Sequence, residues 1–260
     1  MGPPLDGNAM TGRRPDIAPN WYETAFDAMY PLVYAHRTVA GAKPEVGFAV
    51  KQLEIKSGQA VLDLCCGNGR HLVHLLKCTP RVVGLDYSRH MLNFAKSLVK
   101  NAVRLVRADM RNIPFTGAFD AVTNFFTSFG YFFTADENLE VARGVARALK
   151  PSGRFFIDYV NRANIEQTLV PQSVTDHDSY QVRETRWIDE QTARLNKFTE
   201  VYREGRRVGE ATESVRLYTP DEFSGLLVAA GLRVEQFFGD YSGAPLGDST
   251  PRMIAIGQKA

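Results

Sequence analysis

The residues best suited to chemistry stand at the ends of predicted strands in the first half of the chain. Asp63 lies in the segment VLDLCCGNGRHL, where Gly67 and Gly69 follow it with the spacing D-x-x-x-G-x-G. A glycine turn after the first strand of a βαβ unit presents backbone N–H groups and a helix N-terminus to a ligand. A dinucleotide fingerprint needs a third glycine, and Leu72 stands there. The spacing therefore argues against an NAD site.

Three further strand ends carry suitable groups in the same register. Asp86 ends the second predicted strand, and its two carboxylate oxygens match the two hydroxyls of a ribose. Asp109 ends the third, where it can accept a hydrogen bond from an adenine amine, and the Met110 N–H can reach a ring nitrogen. The fourth ends in Asn124 and Phe125, which begin an apolar wall for a flat base. Four such ends in register predict one ligand site.

Adjacent cysteines, Cys65 and Cys66, raise the separate question of a metal site. Neighbouring residues on a strand point to opposite faces, so the two thiols cannot easily share one ion. The chain has no CxxC and no HxxxH pattern, and His71 and His74 have no third ligand nearby. We therefore expect buried side chains and no metal here. Three cysteines without a pairing pattern are typical of the reducing cytoplasm.

Composition narrows the class of partner. The chain has 260 residues, 44% of them hydrophobic, and its 31 basic and 29 acidic residues give a formal net charge of +2. A dedicated nucleic-acid binder usually carries a larger positive excess. No apolar run approaches the roughly 18 residues that span a membrane. The first twenty residues lack the apolar region of a signal peptide and predict a flexible tail.

The elements that position these groups alternate between strand and helix from residue 60 onward. Predicted strands cover residues 61–64, 81–86, 103–109, 119–126 and 153–160, and two more lie near RVEQFF and RMIAIGQK. Predicted helices cover 69–77, a segment capped by Ser88, 134–150 with a Thr134–Glu137 capping box, and 219–231. This order predicts an α/β fold: a Rossmann-like, doubly wound, mostly parallel seven-stranded sheet with helices on both faces.

Two segments stand outside that alternation. Residues 21–37 are aromatic and helical in spacing, with a break at Pro31, and a second helix fits 44–55. Residues 175–218 show period-two character with charge on one side, which predicts an inserted antiparallel β-ribbon. The expected organisation is a tail at 1–20, a helical lid at 21–57, a Rossmann-like domain at 58–161 and 219–260, and an insertion at 175–218.

The chain resembles the class I S-adenosylmethionine-dependent methyltransferases in five segments that cover about residues 58 to 161: VLDLCCGNGRH, GLDYSRHML, RADMRNIPF, FDAVTNFFTSFGYF and LKPSGRFFIDYVN. The resemblance implies an enzyme with S-adenosyl-L-methionine as cofactor and S-adenosyl-L-homocysteine as product. One departure is Cys65, where the family usually has glycine. Cys65 narrows the space beside the cofactor, and we expect a side chain of this size to be tolerated.

The resemblance also assigns residues to parts of the cofactor. Asp63 and the turn at 67–69 would lie near its methionine part, Asp86 would hold the ribose, and Asp109 with Met110 would hold the adenine. Arg37 would pair with its carboxylate. The full implied cofactor-binding set is Tyr22, Tyr30, Arg37, Asp63, Cys65, Gly67, Gly69, Asp86, Tyr87, Met91, Asp109, Met110, Asn124 and Phe125.

The acceptor side is similar in style to enzymes that methylate small molecules, with amino-sugar and glycine-type N-methyltransferases nearest. We expect methyl transfer to a nitrogen or oxygen by in-line displacement, with Tyr131 and Tyr241 as candidate catalytic residues. The aromatic lid includes Trp21 and Tyr34, whose faces suit a sulfonium cation. The ribbon is expected to cover the acceptor pocket and to contribute to a homodimer, because exposed edge strands invite pairing.

Three other functions stay open at this point. An RNA or protein methyltransferase would use the same cofactor, although base-modifying members often carry an N/D-P-P-Y type motif where this chain has Asn124, Phe125 and Phe126. A cofactor-binding module without turnover is a further alternative. An NAD-linked dehydrogenase is the most distant, because the glycine pattern does not fit it.

Overall fold

The structure is a computed structural model that describes residues 12–26, 29–177 and 179–260. Most of the predicted tail, at residues 1–11, lies outside the described residues. The strands are β1 Val61–Leu64, β2 Val82–Asp86, β3 Arg104–Arg107, β4 Phe119–Asn124, β5 Leu149–Val160, β6 Gln172–His177, β7 Tyr180–Asp189, β8 Arg194–Arg203, β9 Arg206–Arg216, β10 Leu232–Phe238 and β11 Arg252–Lys259. The helices are α1 Tyr22–Ala25, α2 Tyr30–Val33, α3 Ala42–Leu53, α4 Leu72–Leu75, α5 Arg89–Val99, α6 Ala135–Ala148, α7 Arg162–Thr168 and α8 Pro220–Ala229.

The central sheet confirms the predicted fold class. Its seven strands run in the order β10, β11, β5, β4, β1, β2, β3. Strands β1 to β5 pair in parallel, and β11 runs antiparallel to both β5 and β10. The chain order reverses between β1 and β4, and open α/β sheets bind ligands beside such a point, outside the carboxyl ends of the strands.

Alternation along the buried strands divides the core between the two faces of this sheet. Leu62 and Val122 belong to a cluster that contains the apolar residues of α6 and α8. Val61 and Ala121, one position earlier on each strand, belong to a second cluster with residues of α3 and α4. Both faces are therefore covered, which is why nearly every residue of β1 and β4 is buried.

The helix starts follow the predicted caps. Ser88 accepts a hydrogen bond from the Met91 N–H at 3.2 Å at the start of α5. Thr134 with Glu137 forms the capping box of α6, and a second box of the same type begins α8 after Thr219. These caps satisfy N–H groups that a helix N-terminus otherwise leaves unpaired.

Several predicted boundaries were wrong. The aromatic segment is two single-turn helices, and Pro31 lies in the first turn of α2, where the missing N–H costs nothing. The predicted helix at 69–77 shrinks to one turn, α4. α6 ends at Ala148 and β5 starts at once, two residues before Pro151, and the β4–β5 pairing shifts register between Phe119 and Ala121.

The predicted ribbon is a separate antiparallel sheet in the order β6, β7, β8, β9, and we call it the insert sheet. Its register places Arg186, Lys197 and Glu213 side by side across β7, β8 and β9. Side chains alternate along each strand, so these three share one face. That face lies against the N-terminal helices, where the Tyr180 hydroxyl donates to the Leu32 carbonyl at 3.0 Å.

One buried arginine fastens the opposite face of the insert sheet to the central domain. The Arg194 guanidinium donates to the carbonyls of Tyr131 and Phe132, each at 2.8 Å, in the loop that follows β4. It also donates to the Ser214 hydroxyl at 2.7 Å. Burial lowers the pKa of Arg194 to about 10, since backbone dipoles rather than a carboxylate face its charge.

Among the described helices, none combines the length and the apolar character that crossing a bilayer requires.

Candidate active site

A cavity of about 320 Å³ opens at the carboxyl ends of β1, β2 and β4, between the central domain, the N-terminal helices and the insert sheet. All three parts of the molecule contribute side chains to it. Residues of the central domain that line it include Cys65, Gly67, Asn68, Arg70, Asp86, Tyr87, Met91, Asp109, Met110, Phe125, Phe126, Tyr131 and Arg252. The N-terminal helices and the segment after them add Tyr22, Phe26, Tyr30, Tyr34 and Arg37, and the insert sheet adds Arg186, Leu195, Lys197, Glu213 and Val215.

The glycine turn after β1 is shaped by left-handed backbone. Gly67 and Gly69 have φ of 52° and 83°, and a Cβ on Gly69 would lie 2.9 Å from the Ala95 Cβ. Cys65 also has a positive φ, 59°, which explains why glycine suits this position and why a cysteine there carries strain. Burial raises the pKa of the Cys65 thiol well above its usual value, so it stays a neutral wall of the cavity.

Asp86 connects the end of β2 to that turn. One carboxylate oxygen accepts a hydrogen bond from the Gly67 N–H and the other from the Ser88 N–H, both at 2.8 Å. Burial raises the pKa of Asp86, and these N–H donors act against that rise. Each oxygen keeps a lone pair, and the residue lines the cavity, so the carboxylate can accept hydroxyl groups there.

Two buried polar groups behind the turn have atoms with no partner among the described residues. Asp63 accepts a hydrogen bond from the Thr123 hydroxyl at 3.0 Å through Oδ1, while its Oδ2 is buried and unpaired. Burial raises the pKa of Asp63 to about 7. The Asn124 amide donates to the Leu64 carbonyl at 2.9 Å, and its Oδ1 is likewise unpaired. Buried polar atoms without partners are rare in folded proteins and often mark a ligand site.

The end of β3 carries an ion-pair cluster. The Arg111 guanidinium donates to Asp109 Oδ2 at 2.6 Å, to Glu137 Oε1 at 2.6 Å and to the Tyr22 hydroxyl at 2.9 Å. Arg111 thereby connects α1 to the end of β3 and to α6. Asp109 still lines the cavity, together with Met110, whose sulfur lies 3.5 Å from the Cys65 thiol.

Three guanidinium groups surround the Phe126 ring at the opposite end. Those of Arg37, Arg70 and Arg252 lie 4.6, 4.5 and 5.3 Å from its centroid. Arg70 pairs with Glu45 at 2.8 Å, whereas the buried Nε–H of Arg37 has no hydrogen-bond partner among the described residues. Arg37 is therefore the arginine of this cluster that still has a free donor to bind an anion.

His71 packs beside this cluster without carrying charge. Its ring stacks on Phe125 at 4.1 Å, and its Nε2 lies 2.7 Å from Glu45 Oε2. Burial lowers the pKa of His71 to about 4, and the charge of Arg70 adds to that effect despite the nearby Glu45.

A carboxylate that the sequence interpretation missed supports the loop after β4. Asp158, fully buried on β5, accepts hydrogen bonds from the Phe126 N–H at 2.7 Å and from Arg252 Nε at 2.6 Å. Phe126 and the next residue both have left-handed backbone, with φ of 60° and 59°. Asp158 therefore holds a strained piece of the cavity wall. No local sequence motif predicts this role, because its partners lie in the loop after β4 and on β11.

The two tyrosines predicted as catalytic occupy different places. Tyr131 lines the cavity, 4.8 Å from the Trp21 ring, and its carbonyl accepts the Trp21 Nε1–H at 3.4 Å. Tyr241 is absent from the cavity wall, and its hydroxyl donates to Asp158. Burial and Asp158 raise its pKa far above the usual value. Its catalytic role stays a prediction, and its described contact gives it a supporting position.

The structure brings most of the predicted cofactor-binding residues to one cavity. Asp63, Gly69 and Asn124 lie behind the wall rather than in it, where they shape the turn and the strand ends. The wall residues that sequence interpretation missed include Arg70, Arg186, Lys197, Glu213 and Arg252. The sequence did not identify the residues of the insert sheet, because no local pattern shows which face of an antiparallel strand meets a distant cavity. The described residues contain no group of side chains suited to a metal ion.

Residues 61–153 match the family described as methyltransferase domain. The dTDP-3-amino-3,4,6-trideoxy-alpha-D-glucopyranose N,N-dimethyltransferase of Streptomyces venezuelae is 26% identical over 243 residues, which are 86% of this chain and 97% of that protein. A cypemycin N-terminal methyltransferase from Streptomyces sp is 35% identical over 111 residues, 42% of this chain and 45% of that protein.

The fold as a whole is also found in solved structures. The CcbJ methyltransferase from Streptomyces caelestis superposes with a TM-score of 0.79 at 19% identity, covering 92% of this chain and 99% of that one. At that identity the likeness concerns the fold.

Proposed function

Because this chain is an S-adenosylmethionine-dependent methyltransferase, we propose that it transfers a methyl group to a nitrogen or oxygen of a small-molecule acceptor by in-line displacement. When bound, the cofactor supplies an activated methyl group on a sulfonium, so the protein mainly aligns the partners and excludes water. An RNA or protein acceptor is the alternative, and no observation on the cavity favours it.

The polar atoms that the fold leaves free fit this cofactor. The carboxylate of Asp86 faces the cavity and would hold the ribose hydroxyls, beside Tyr87. Asp109 and Met110 would hold the adenine. The unpaired Nε–H of Arg37 would donate to the carboxylate of the cofactor, and the unpaired Oδ2 of Asp63 would favour the cofactor's amine nearby. Charge-assisted pairs of this kind are about twice as strong as neutral hydrogen bonds.

The observation that carries the small-molecule acceptor is that two parts of the molecule cover the cavity. The insert sheet and the N-terminal helices cover it, and at about 320 Å³ it lies at the small end of ligand pockets. Aromatic faces of Phe26, Tyr30 and Tyr131 form one wall, while Leu195 and Val215 on the insert sheet form another. A cavity closed on these sides suits a compact molecule better than a polymer.

The chain's own groups contribute alignment rather than covalent chemistry. Asp158 and Arg252 fix the loop that carries Phe126, and Arg194 fixes the loop carbonyls around Tyr131. Burial raises the pKa of Tyr131 well above its usual value, so its hydroxyl stays protonated and is suited to hydrogen bonding and not to proton removal. Tyr131 is the cavity tyrosine for which we propose contact with the acceptor.

The relative from Streptomyces venezuelae supports a nucleotide-linked sugar as one member of the acceptor class, because it matches along nearly its whole length. The test has two parts. Calorimetry should show S-adenosylhomocysteine binding where NADH does not bind, and labelled cofactor should transfer its methyl group to members of a metabolite panel. Transfer to RNA or protein alone would contradict the proposal, as would slow cofactor hydrolysis with no acceptor.

A further inference from the structure

On the cavity wall formed by the insert sheet, charged side chains lie in one row across the strands. Arg186, Lys197 and Glu213 are cross-strand neighbours on β7, β8 and β9, and all three line the cavity. Beside them the next residues of β8 and β9 on the same face are Leu195 and Val215. An acceptor inside the cavity therefore meets a charged row bordered by an apolar one.

The two positive groups of the row are largely satisfied by protein partners. The Lys197 ammonium lies 2.7 Å from Glu213 Oε1 and 3.6 Å from Glu184 Oε1, and it also donates to the Tyr34 hydroxyl oxygen. Arg186 donates to Glu184 and to the Ser173 hydroxyl at 3.0 Å. Two of the three donors of the Lys197 ammonium are used by Glu213 and Tyr34, and Glu184, at 3.6 Å, adds a second negative charge without a hydrogen bond, so the lysine charge is already balanced by protein carboxylates.

Glu213 is satisfied at one oxygen and open at the other. Its Oε1 accepts from the Tyr34 hydroxyl at 2.6 Å and from Lys197. Its Oε2 accepts no hydrogen bond from any described residue, and it is not among the buried atoms shielded from solvent. The two donors on Oε1 are the Tyr34 hydroxyl, at the end of α2, and the Lys197 ammonium, on β8. Together they fix the direction of the free oxygen. A ligand donor can therefore be bound there with little loss of side-chain freedom.

We propose that Glu213 is the acceptor-binding carboxylate of the cavity: its Oε2 accepts an N–H hydrogen bond from a primary or secondary amine on the acceptor. This inference rests on the proposed methyl transfer and narrows its acceptor to amines. A carboxylate is an acceptor only, so it selects a hydrogen-bond donor on the ligand over a carboxylate or phosphate. Between the two donors, a neutral amine attacks without a base, whereas a hydroxyl needs one, so the amine is favoured.

The surroundings of Glu213 fit the rest of such an acceptor. Tyr30, Tyr34 and Tyr131 offer aromatic faces, which favour the positive charge that the neutral amine takes over from the sulfonium as it accepts the methyl group. Leu195 and Val215 offer apolar contact to the carbon skeleton that carries it. An aliphatic or sugar-ring amine satisfies both surfaces, whereas a strongly anionic head group would place charge against the free carboxylate oxygen.

The protonation state of Glu213 agrees with a binding role. Burial alone would raise its pKa, yet the Lys197 ammonium and the Tyr34 hydroxyl hold it below the usual value. The group therefore remains ionised at neutral pH and is a weak base. Its part is to hold and orient the amine rather than to remove its proton.

The test compares Glu213→Gln with the wild-type enzyme on paired acceptors that differ only in amine against hydroxyl. The pairs are glucosamine with glucose, cyclohexylamine with cyclohexanol, and a thymidine-diphosphate-linked amino sugar with its hydroxyl counterpart. The wild type should methylate amines in preference. Loss of a hydrogen bond to a charged group should raise KM for the amine roughly 10- to 100-fold in Glu213→Gln. The dissociation constant of S-adenosylhomocysteine should stay within about twofold, because Glu213 hydrogen-bonds to Tyr34 and Lys197 and to no residue of the proposed cofactor-binding set.

Glu184→Gln is the matched control, because Glu184 contacts the same lysine from β7 but does not line the cavity. It should leave KM for the amine unchanged. Equal losses in both variants, or loss of S-adenosylhomocysteine affinity in Glu213→Gln, would mean that the row only holds the insert sheet in place. Wild-type methylation of hydroxyl acceptors alone would overturn the amine assignment and leave the proposed function standing. S-adenosylhomocysteine binding without methylation of any pair would overturn both.

Discussion

The two halves of the cavity are built in different ways. The half that we propose for the cofactor, the cofactor half, uses the ends of consecutive parallel strands, with Asp86 fixing the glycine turn through the Gly67 N–H. The acceptor half uses a row that crosses β7, β8 and β9 and meets Tyr34 from α2's end. The first is made largely of backbone held by single carboxylates, and the second of side chains held by each other.

That difference appears in which atoms remain unpaired. Around the cofactor half, Asp63, Asn124 and Arg37 each have a buried polar atom without a partner among the described residues. In the acceptor half, Lys197 is hydrogen-bonded to Glu213 and Tyr34, and the atom without a partner among the described residues is Oε2 of the half-buried Glu213. The cofactor half is therefore preorganised for a single ligand. In the acceptor half, substitution of one side chain can change which ligand is bound.

The largest effect should arise at Asp158, which supports the loop shared by both halves. Asp158→Ala leaves the buried Arg252 charge without its partner, which should lower the free energy of unfolding by about 3 kcal/mol. Asp120→Ala is the control, because its partner Lys150 is more exposed, and it should cost about 1 kcal/mol or less. Urea unfolding measures both. Similar losses would mean that the Asp158 pair is no more critical than a surface one.

Asp86→Ala tests the cofactor half alone. Removing the carboxylate takes away the ribose contact and frees the Gly67 and Ser88 N–H groups, so S-adenosylhomocysteine should bind about 100-fold more weakly, or about 2.7 kcal/mol. Calorimetry at constant salt gives the dissociation constant. Unchanged affinity would contradict the assignment of Asp86 and remove the basis for separating the halves.

A pH-dependent effect should come from Asp63. Its pKa is about 7 in the folded chain against an ordinary value of 3.8, so the unfolded chain loses this proton first. The cofactor-free protein should therefore lose stability as pH rises between these two values. Asp63→Asn removes that dependence, so it should stabilise the protein more at the upper end of this window than at the lower end. Denaturant unfolding at both ends measures it, and an equal effect at both would contradict the buried unpaired carboxyl.

The smallest effect should follow Cys65→Gly. Relief of the left-handed conformation gains about 1–2 kcal/mol, and the extra freedom of glycine in the unfolded chain costs about 0.5–1 kcal/mol. The stability should change by less than about 1 kcal/mol, while Cys66→Gly, at a buried residue outside that backbone region, should lose more. Thermal unfolding compares the two. A large loss at Cys65 would show that its side chain, rather than the backbone, shapes the turn.

The sequence predicted the cofactor half because its groups repeat at the ends of strands, a pattern visible along the chain. Asp86, Asp109 and Met110 line the cavity as expected. It did not predict Asp158 or Glu213, because their partners lie 32 and 179 residues away, at Phe126 and Tyr34. The alternation of 175–218 indicated an antiparallel sheet but not which face meets the cavity, since that depends on packing against the N-terminal helices.

Arg194 has a consequence for how molecules reach the interior. Moving the insert sheet outward would strip a buried guanidinium of the loop carbonyls of Tyr131 and Phe132 that solvate it. The N-terminal helices, by contrast, are attached mainly through tyrosine and tryptophan side chains and a few single hydrogen bonds. The insert sheet and the loop therefore form the fixed side of the cavity. We expect ligands to enter and leave on the side of the N-terminal helices.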